Sequence, residues 1–456
     1  MDEFDLVVIG GGNGGYTAAI RATQLGLTAA LIERDKVGGT CLHRGCIPAK
    51  ELLQTAEVLR TVSGAGDFGV TAGTPSLDLA VTQRRKQAVV DNLAKGTETL
   101  LRGRKVEILT GTGAITDAAA HRVRVGDLDV EGDALIVATG SVPRPLPGID
   151  FDGERVLHSD HVLLLDEVPG EVVIIGGGAI GCEFASYLVD VGSNVTLLEA
   201  LPSLLPGVDK AAAQVVSRAL GKRGVTVRTG VTVTGVEANG RPDVAYEDKD
   251  GAQKLPADRV IVSIGRVARS EAIAGTGIDL TEGGQVRVDE LMRTNVAGVF
   301  AVGDVTPGPQ LAHVGFAEAI VAIMTILGEP AVPVDYEKVP WGIYCHPEVA
   351  FSGITEAEAK ERGHDVVTST QRFGGNSRAQ IMGETDGLVK IVAERDGAVL
   401  GVHVVGPWAT ELLAEGYLAV NWEASPAEVG ALIHPHPTLS EAMGEAALAL
   451  TGRKLH

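Results

Sequence analysis

Apolar and polar positions along the first 33 residues follow a two-part rhythm. Leu6 to Ile9, "LVVI", form a short β-branched run of the kind that serves as a fully buried strand. A glycine cluster interrupts it, a stretch with helical spacing follows, and "TAALIE" closes the segment as a second apolar strand. The same order, strand, glycine turn, helix, strand, returns in "EVVIIGGGAIGCEFASYLVDVGSNVTLLEA". Three further apolar runs, "ALIVATG", "RVIVSIG" and "GVFAVGD", end on Gly140, Gly265 and Gly303. Strand tips of this kind are where ligands sit in open parallel sheets, although any one of them alone reads as a plain turn. "PSLDLAVTQRRKQAVVDNLAKGTETLLRGRKV" has helical spacing and a mixed charged face, which predicts an exposed scaffold helix. Beyond Pro333 the style changes: "GLVKIVAERDGAVLGVHVVG" reads as strands and "ATELLAEGYLAVNWE" as a helix, with no glycine motif.

The glycines give the repeated unit a chemical meaning. Gly10, Gly12 and Gly15 form GxGxxG after the first strand, and Glu33 ends the next one. In a dinucleotide-binding unit such glycines allow a tight turn and bring the pyrophosphate to a helix N-terminus, while the acid binds a ribose hydroxyl. One such motif is weak evidence. Here Gly176, Gly178 and Gly181 repeat it, Glu199 follows Gly176 by the same 23 positions that separate Glu33 from Gly10, and the two copies lie 166 residues apart. Two dinucleotide sites imply two cofactors, most simply a flavin and a nicotinamide dinucleotide. The expected architecture is α/β, with two Rossmann-like domains and an α+β C-terminal domain. The expected boundaries are 1–147 completed by 271–333 for the flavin domain, 148–270 for the nicotinamide domain, and 334–456 for a domain that buries its sheet against a partner subunit.

Composition changes this picture in a few places. At 456 residues the chain exceeds what one hydrophobic core serves. Glycine is 59 of 456, about double ordinary usage and without a collagen period, consistent with turns and close backbone approaches. The formal charge of −20 argues against nucleic-acid and anionic-membrane partners. No apolar run approaches the roughly 18 residues of a membrane span, and the acidic start runs straight into a strand, unlike a secretory signal. A cytoplasmic protein is expected, in which a cysteine pair is more often redox-active or metal-binding than a structural disulfide.

"GGTCLHRGCIPAK" holds two of the four cysteines, Cys41 and Cys46. Five helical steps would point their side chains about 140° apart, so Gly45 and the preceding Gly38-Gly39 are needed to let them meet. A zinc site needs about four ligands, and Cys182 and Cys345 stand in unrelated contexts. Redox chemistry is therefore favoured over metal binding and inert packing, and the neighbouring flavin motif strengthens it. Near the C-terminus, "HPHPTLSEAMGEA" offers His434 and His436, with Glu441 placed to orient the latter and raise its basicity.

Together, the flavin GxGxxG, GGTCxxxGCIPxK, the nicotinamide GxGxxG, the Gly-Asp strand end and HPTxSE resemble the pyridine nucleotide–disulfide oxidoreductases over essentially the whole chain. The resemblance implies that Cys41 exchanges with substrate, that Cys46 faces the flavin, and that Lys50 beside the flavin pairs with Glu183. It makes His436 the general base, oriented by Glu441 and supplied by the other subunit of a homodimer. FAD contacts are implied for Gly39, Thr40, Lys50, Gly113, Thr139, Gly140, Asp304 and Ala312 besides the first motif, and NAD contacts for Val233, Gly265 and Arg266 besides the second. Glu199 favours NAD over NADP by binding the ribose 2′-OH. The implied reaction is oxidation of dihydrolipoyl groups on lipoyl domains of 2-oxoacid dehydrogenase or glycine cleavage complexes, with electrons passing through FAD to NAD⁺. Glutathione- or mycothione-type reductases share the machinery and are the alternative reading. A non-enzymatic redox flavoprotein is the rival of a different class. Ala49 departs from the Ser or Thr usual in CIPxK, and Cys345 is atypical before His346.

Overall fold

Strand β1 (Asp2–Ile9) is fully buried from Leu6 to Ile9, because it is flanked on both edges by parallel neighbours. The computed structural model describes residues 2–238 and 240–454. After β1 come helix α1 (Asn13–Gln24), strand β2 (Ala29–Glu33), and helices α2 (Gly39–Arg44), α3 (Cys46–Ser63) and α4 (Leu79–Gly103). Strands β3 (Glu107–Thr110), β4 (Gly113–Asp117), β5 (Arg122–Val125) and β6 (Leu128–Val137) complete the run. They order as β3-β2-β1-β6-β5-β4, with the short strand Val299–Ala301 also pairing β6. The β3-β2-β1-β6 portion is parallel and β4, β5 and β6 form an antiparallel meander. Every parallel strand here points its C-terminal tip to the same end, so the glycines that follow β1 and β6 gather there.

The chain divides into two units. The first gathers residues up to Leu52, Ala80–Arg144 and Gly265–Tyr336; the second gathers Leu53–Leu79, Pro145–Ile264 and the chain from Glu337 onward. In the second unit a five-stranded parallel sheet runs in the order Thr226–Thr229, Asn194–Glu199, Glu171–Ile175, Arg259–Val262, Val156–Leu157. A three-stranded meander between Thr232 and Pro256 accompanies it. A separate antiparallel sheet of five strands spans Trp341 to Gly406, and its core is closed by helices Ala409–Asn421 and Glu441–Leu450. This is the α/β architecture with two nucleotide-binding-type sheets and an α+β C-terminal region.

Two contacts account for where the division falls. Gly265 to Ser270 stay with the first unit because strand Arg266–Ala268 pairs with Ser141–Pro143, and the Arg144 N–H donates to the Gly265 carbonyl at 3.0 Å. Leu53–Leu79 joins the second unit, where Arg60 forms an ion pair with Asp190 of the helix Ala179–Asp190. Neither contact leaves a local trace in hydrophobic periodicity.

One buried ionic contact holds the second unit together across sequence. Lys390 is buried and bridges Asp209 and Glu356, each at 2.7 Å, while Asp209 also caps the helix Lys210–Lys222 through the Ala211 N–H. Removing one member of such a pair leaves a buried charge uncompensated. Lys390→Met should cost about 3–5 kcal/mol and lower the melting temperature, as checked by calorimetry of the wild-type and variant chains; an unchanged transition would contradict this role.

Candidate active site

In the first cradle the three glycines have separate jobs. Gly10 has φ +106°, and a Cβ on it would lie 2.2 Å from the Ala138 carbonyl oxygen. A Cβ on Gly15 would lie 1.7 Å from the Gly10 carbonyl oxygen, so α1 can sit on the tip of β1 only with glycine there. Around Gly12 nothing lies within 4 Å of where a Cβ would project. Gly12 is also the N-cap of α1, without a side-chain cap, so the first amides of the helix face open space. The second cradle repeats the division of labour. Gly176 and Gly181 are pinned against Ser263 O and Gly176 O at 2.5 and 1.9 Å, while Gly178 faces open space.

The acids at the next strand tips are held alike. Glu33 accepts the N–H groups of Gly11 at 2.7 Å and Asp35 at 2.8 Å. Glu199 accepts those of Gly177 at 2.6 Å and Leu201 at 2.7 Å. Each carboxylate is thus fixed beside its glycine turn.

The cysteine segment rests on the first cradle. The Gly38 N–H donates to the Gly11 carbonyl at 2.8 Å, and a Cβ on Gly39 would lie 2.6 Å from the Gly12 Cα. Gly45, at φ −143° and ψ −114°, separates α2 from α3 and puts Cys46 at the start of the second helix. Across this break the Cys41 and Cys46 side chains hydrogen-bond as thiols. That bond pushes the Cys41 thiol far up, burial adds to it, and a hydrogen bond with the Asn13 side chain opposes both. Asn13 escaped the sequence reading because it looks like one more residue of a glycine turn. Lys50 follows Cys46 by one turn of α3 in the first unit, and Thr40 lies one residue before Cys41. Glu183 lies in the second unit, buried, and accepts the Tyr344 N–H at 2.9 Å.

A third group forms at the tip of β6. Thr139 donates its hydroxyl to the Arg269 carbonyl at 2.6 Å, and Gly140 faces open space. Ser141 donates to Asp304 at 2.6 Å and receives the Arg266 guanidinium at 2.7 Å. Arg266 lies in the first unit beside Asp304, because its strand pairs with that of Ser141. Gly265 goes with it into the first unit. Gly303 faces open space beside Asp304, and Ala312 opens the helix that follows. The Cβ position of Gly113 is filled by Ile32, Ile9 and Val123, which leaves only its backbone for any contact. Val233 is half-buried in the meander of the second unit, paired with Tyr246.

In the C-terminal region His436 Nδ1 lies 2.8 Å from Glu441, whose second oxygen accepts the Thr438 N–H at 2.8 Å. Burial alone would raise the Glu441 carboxyl, but the Thr438 amide and the His436 ring more than offset it and hold it below its ordinary value. With Nδ1–H donating to Glu441, Nε2 carries the lone pair and faces outward on a ring that is 69% exposed. His434 turns instead to Glu415, at 2.9 Å, so the two histidines serve different carboxylates. Among the described residues no cluster of three His, Cys, Asp or Glu groups has metal-binding geometry. Cys182 and Cys345 are both fully buried and each raises its thiol by burial, Cys345 adding to the effect on Cys182.

Two nucleotide cradles and a dithiol on one chain define a dinucleotide-dependent redox protein. The chain belongs to the pyridine nucleotide-disulphide oxidoreductase family: that family matches residues 4–319, and its dimerisation domain matches residues 339–447. The chain is 44% identical to a dihydrolipoyl dehydrogenase of Bacillus subtilis and 40% identical to one of Cupriavidus necator, each over 100% of this chain and 99% of the relative. Among solved structures it is similar to LpdA from Mycobacterium tuberculosis, with a TM-score of 0.90, 26% identity, and coverage of 99% of this chain and 100% of that one. The HOCl-induced flavoprotein disulfide reductase RclA from Escherichia coli, as its Cu(II) complex, matches with a TM-score of 0.87, 26% identity, and coverage of 98% and 100%. No helix among the described residues is long and apolar enough to cross a membrane.

The cofactors of this fold are FAD and NAD, and the residues present fit them. Gly12 and Gly178 leave uncovered the space a pyrophosphate needs, and Glu33 and Glu199 stand where ribose hydroxyls are bound. The different jobs of the glycines give a direct test. Gly12→Val should leave the melting of the flavin-free chain nearly unchanged while sharply weakening FAD retention, because its side chain enters open space. Gly15→Ala should lower melting itself. Equal melting losses, read by calorimetry of flavin-stripped protein, would contradict the division.

Proposed function

We propose that this chain is a dihydrolipoyl dehydrogenase working as a homodimer. Cys41 and Cys46 are its redox pair, and dihydrolipoyl groups on lipoyl domains of 2-oxoacid dehydrogenase or glycine cleavage complexes are its substrate. The observation that carries the reading is the meeting of Cys41 and Cys46 across the Gly45 break, directly against the first glycine cradle. Residues 1–147 with 271–333 are assigned to FAD, 148–270, with Gly265 and Arg266, to NAD, and 334–456 to the subunit interface.

Catalysis begins with the pair as a disulfide. His436 Nε2 takes a proton from one substrate thiol, and Glu441 steadies the resulting imidazolium. The thiolate attacks Cys41 Sγ, the Cys41–Cys46 bond breaks, and Cys46 leaves as a thiolate. His436, its exposed ring having released the first proton to solvent, takes the proton of the second substrate thiol, and that thiolate attacks the substrate sulfur of the mixed disulfide. Cys41 then leaves as a thiolate beside Asn13, the substrate departs as a cyclic disulfide, and the chain holds one electron pair as a dithiol. Bound FAD supplies the acceptor for that pair and NAD⁺ the final hydride acceptor. Lys50, one turn after Cys46, is assigned beside the flavin.

The base is assigned to the other subunit. Ile433, just before the His434–His436 segment, is 99% exposed and Leu432 and Trp422 are largely exposed, a surface that a second copy would cover.

Cys41→Ser and Cys46→Ser should each abolish dihydrolipoamide-dependent NAD⁺ reduction while leaving FAD bound; surviving turnover would remove the dithiol from the mechanism. His436→Gln should lower kcat by about 10²–10⁴-fold with FAD content unchanged. A steady-state comparison of dihydrolipoamide/NAD⁺ with oxidised glutathione or mycothione/NADPH tests the substrate, and preference for the second pair would overturn it.

A further inference from the structure

Glu318 takes no part in the chemistry above, yet it is 1% exposed, in the middle of the helix Ala312–Ile326. One carboxylate oxygen accepts the Gly303 N–H at 2.6 Å, and the other accepts the Tyr336 hydroxyl at 2.7 Å. Gly303 immediately precedes Asp304, which Ser141 holds from the other side at 2.6 Å. Tyr336 is the last residue of the first unit, and its ring packs against Gly308, where a Cβ would lie 3.3 Å away. The same helix packs on α1 through small residues: a Cβ on Gly14 would lie 3.5 Å from the Gly315 carbonyl oxygen. A buried carboxylate is a costly way to fill space, and an apolar side chain would pack there more cheaply. What an apolar residue cannot do is tie two separate donors to one point. Burial pushes the Glu318 carboxyl up to about 7, the Gly303 amide and Tyr336 hydroxyl pull it down, and Asp304 pushes it up again.

We propose that Glu318 is a positioning residue for the flavin: it latches the Gly303–Asp304 strand end to Tyr336, so that FAD retention depends on both hydrogen bonds. The proposal rests on the assignment of Asp304 to the flavin, not on the identity of the dithiol substrate. It is tested by FAD affinity, which a wrong substrate assignment would not move.

The experiment strips FAD from the full-length wild type, Glu318→Ala, Glu318→Gln and Tyr336→Phe, then measures the dissociation constant for FAD and the melting temperature of the flavin-free chains. A hydrogen bond to a charged group is worth about tenfold in an equilibrium constant, so Glu318→Ala and Tyr336→Phe should each weaken FAD binding by about that factor. Gln can accept from Gly303 and donate to the Tyr336 oxygen, so Glu318→Gln should stay within about threefold of wild type, which a broken latch at tenfold would not. Unchanged FAD affinity in Tyr336→Phe, whatever its melting temperature, would overturn the proposal. So would a Glu318→Gln variant that loses as much affinity as Glu318→Ala. If Glu318→Ala fails to fold, Tyr336→Phe and Glu318→Gln still decide the matter.

Discussion

The closest backbone approach in the first unit is the one on which its chemistry depends: α1 lies so near the tip of β1 that a single methyl on Gly15 would fall 1.7 Å from the Gly10 carbonyl oxygen. That approach turns the first amides of α1 outward past Gly12 into open space. It also creates the ledge on which the next functional segment rests, since Gly38 donates to Gly11 and Gly39 lies against Gly12. Cys41 follows two residues later, within reach of Asn13 at the head of the same helix. The open space at Gly12 and the placing of the dithiol are therefore two consequences of one packing contact, and a change at Gly15 would disturb both.

The second unit uses the same device without the dithiol. Its glycines divide into two that are pinned and one that faces open space, and its acid takes the same pair of backbone amides. The difference lies in what surrounds the turn. In the first unit the segment that leads into the cysteine helices rests against it; in the second, Cys182 is buried inside the helix and donates to the Gly177 carbonyl at 3.4 Å. Duplication thus supplies two binding cradles, and the segment inserted after the first supplies the redox chemistry.

Much of this was legible in the sequence because it is written locally. Glycine spacing, the acid 23 positions on, and the buried β-branched runs all report contacts within one strand–turn–helix unit. The Cys41–Cys46 spacing could be judged against helical geometry, and Gly45 stood out as the residue able to break it. What stayed hidden depends on contacts between distant segments. Arg266 belongs beside Ser141 and Asp304 only because two short strands pair across 125 residues of sequence. Glu318 has its two partners, Gly303 and Tyr336, only in the folded chain, 15 and 18 positions away. The joining of Leu53–Leu79 to the second unit belongs to the same class.

The central claim is that the Cys41–Cys46 pair stores electrons next to a bound flavin. Anaerobic reductive titration of the holoenzyme tests it most directly, by counting electron pairs taken up per subunit before the flavin is fully bleached. The account predicts two, one for the disulfide and one for the flavin, falling to one when Cys46 is replaced by Ala. Uptake of a single pair by the unaltered protein would contradict it.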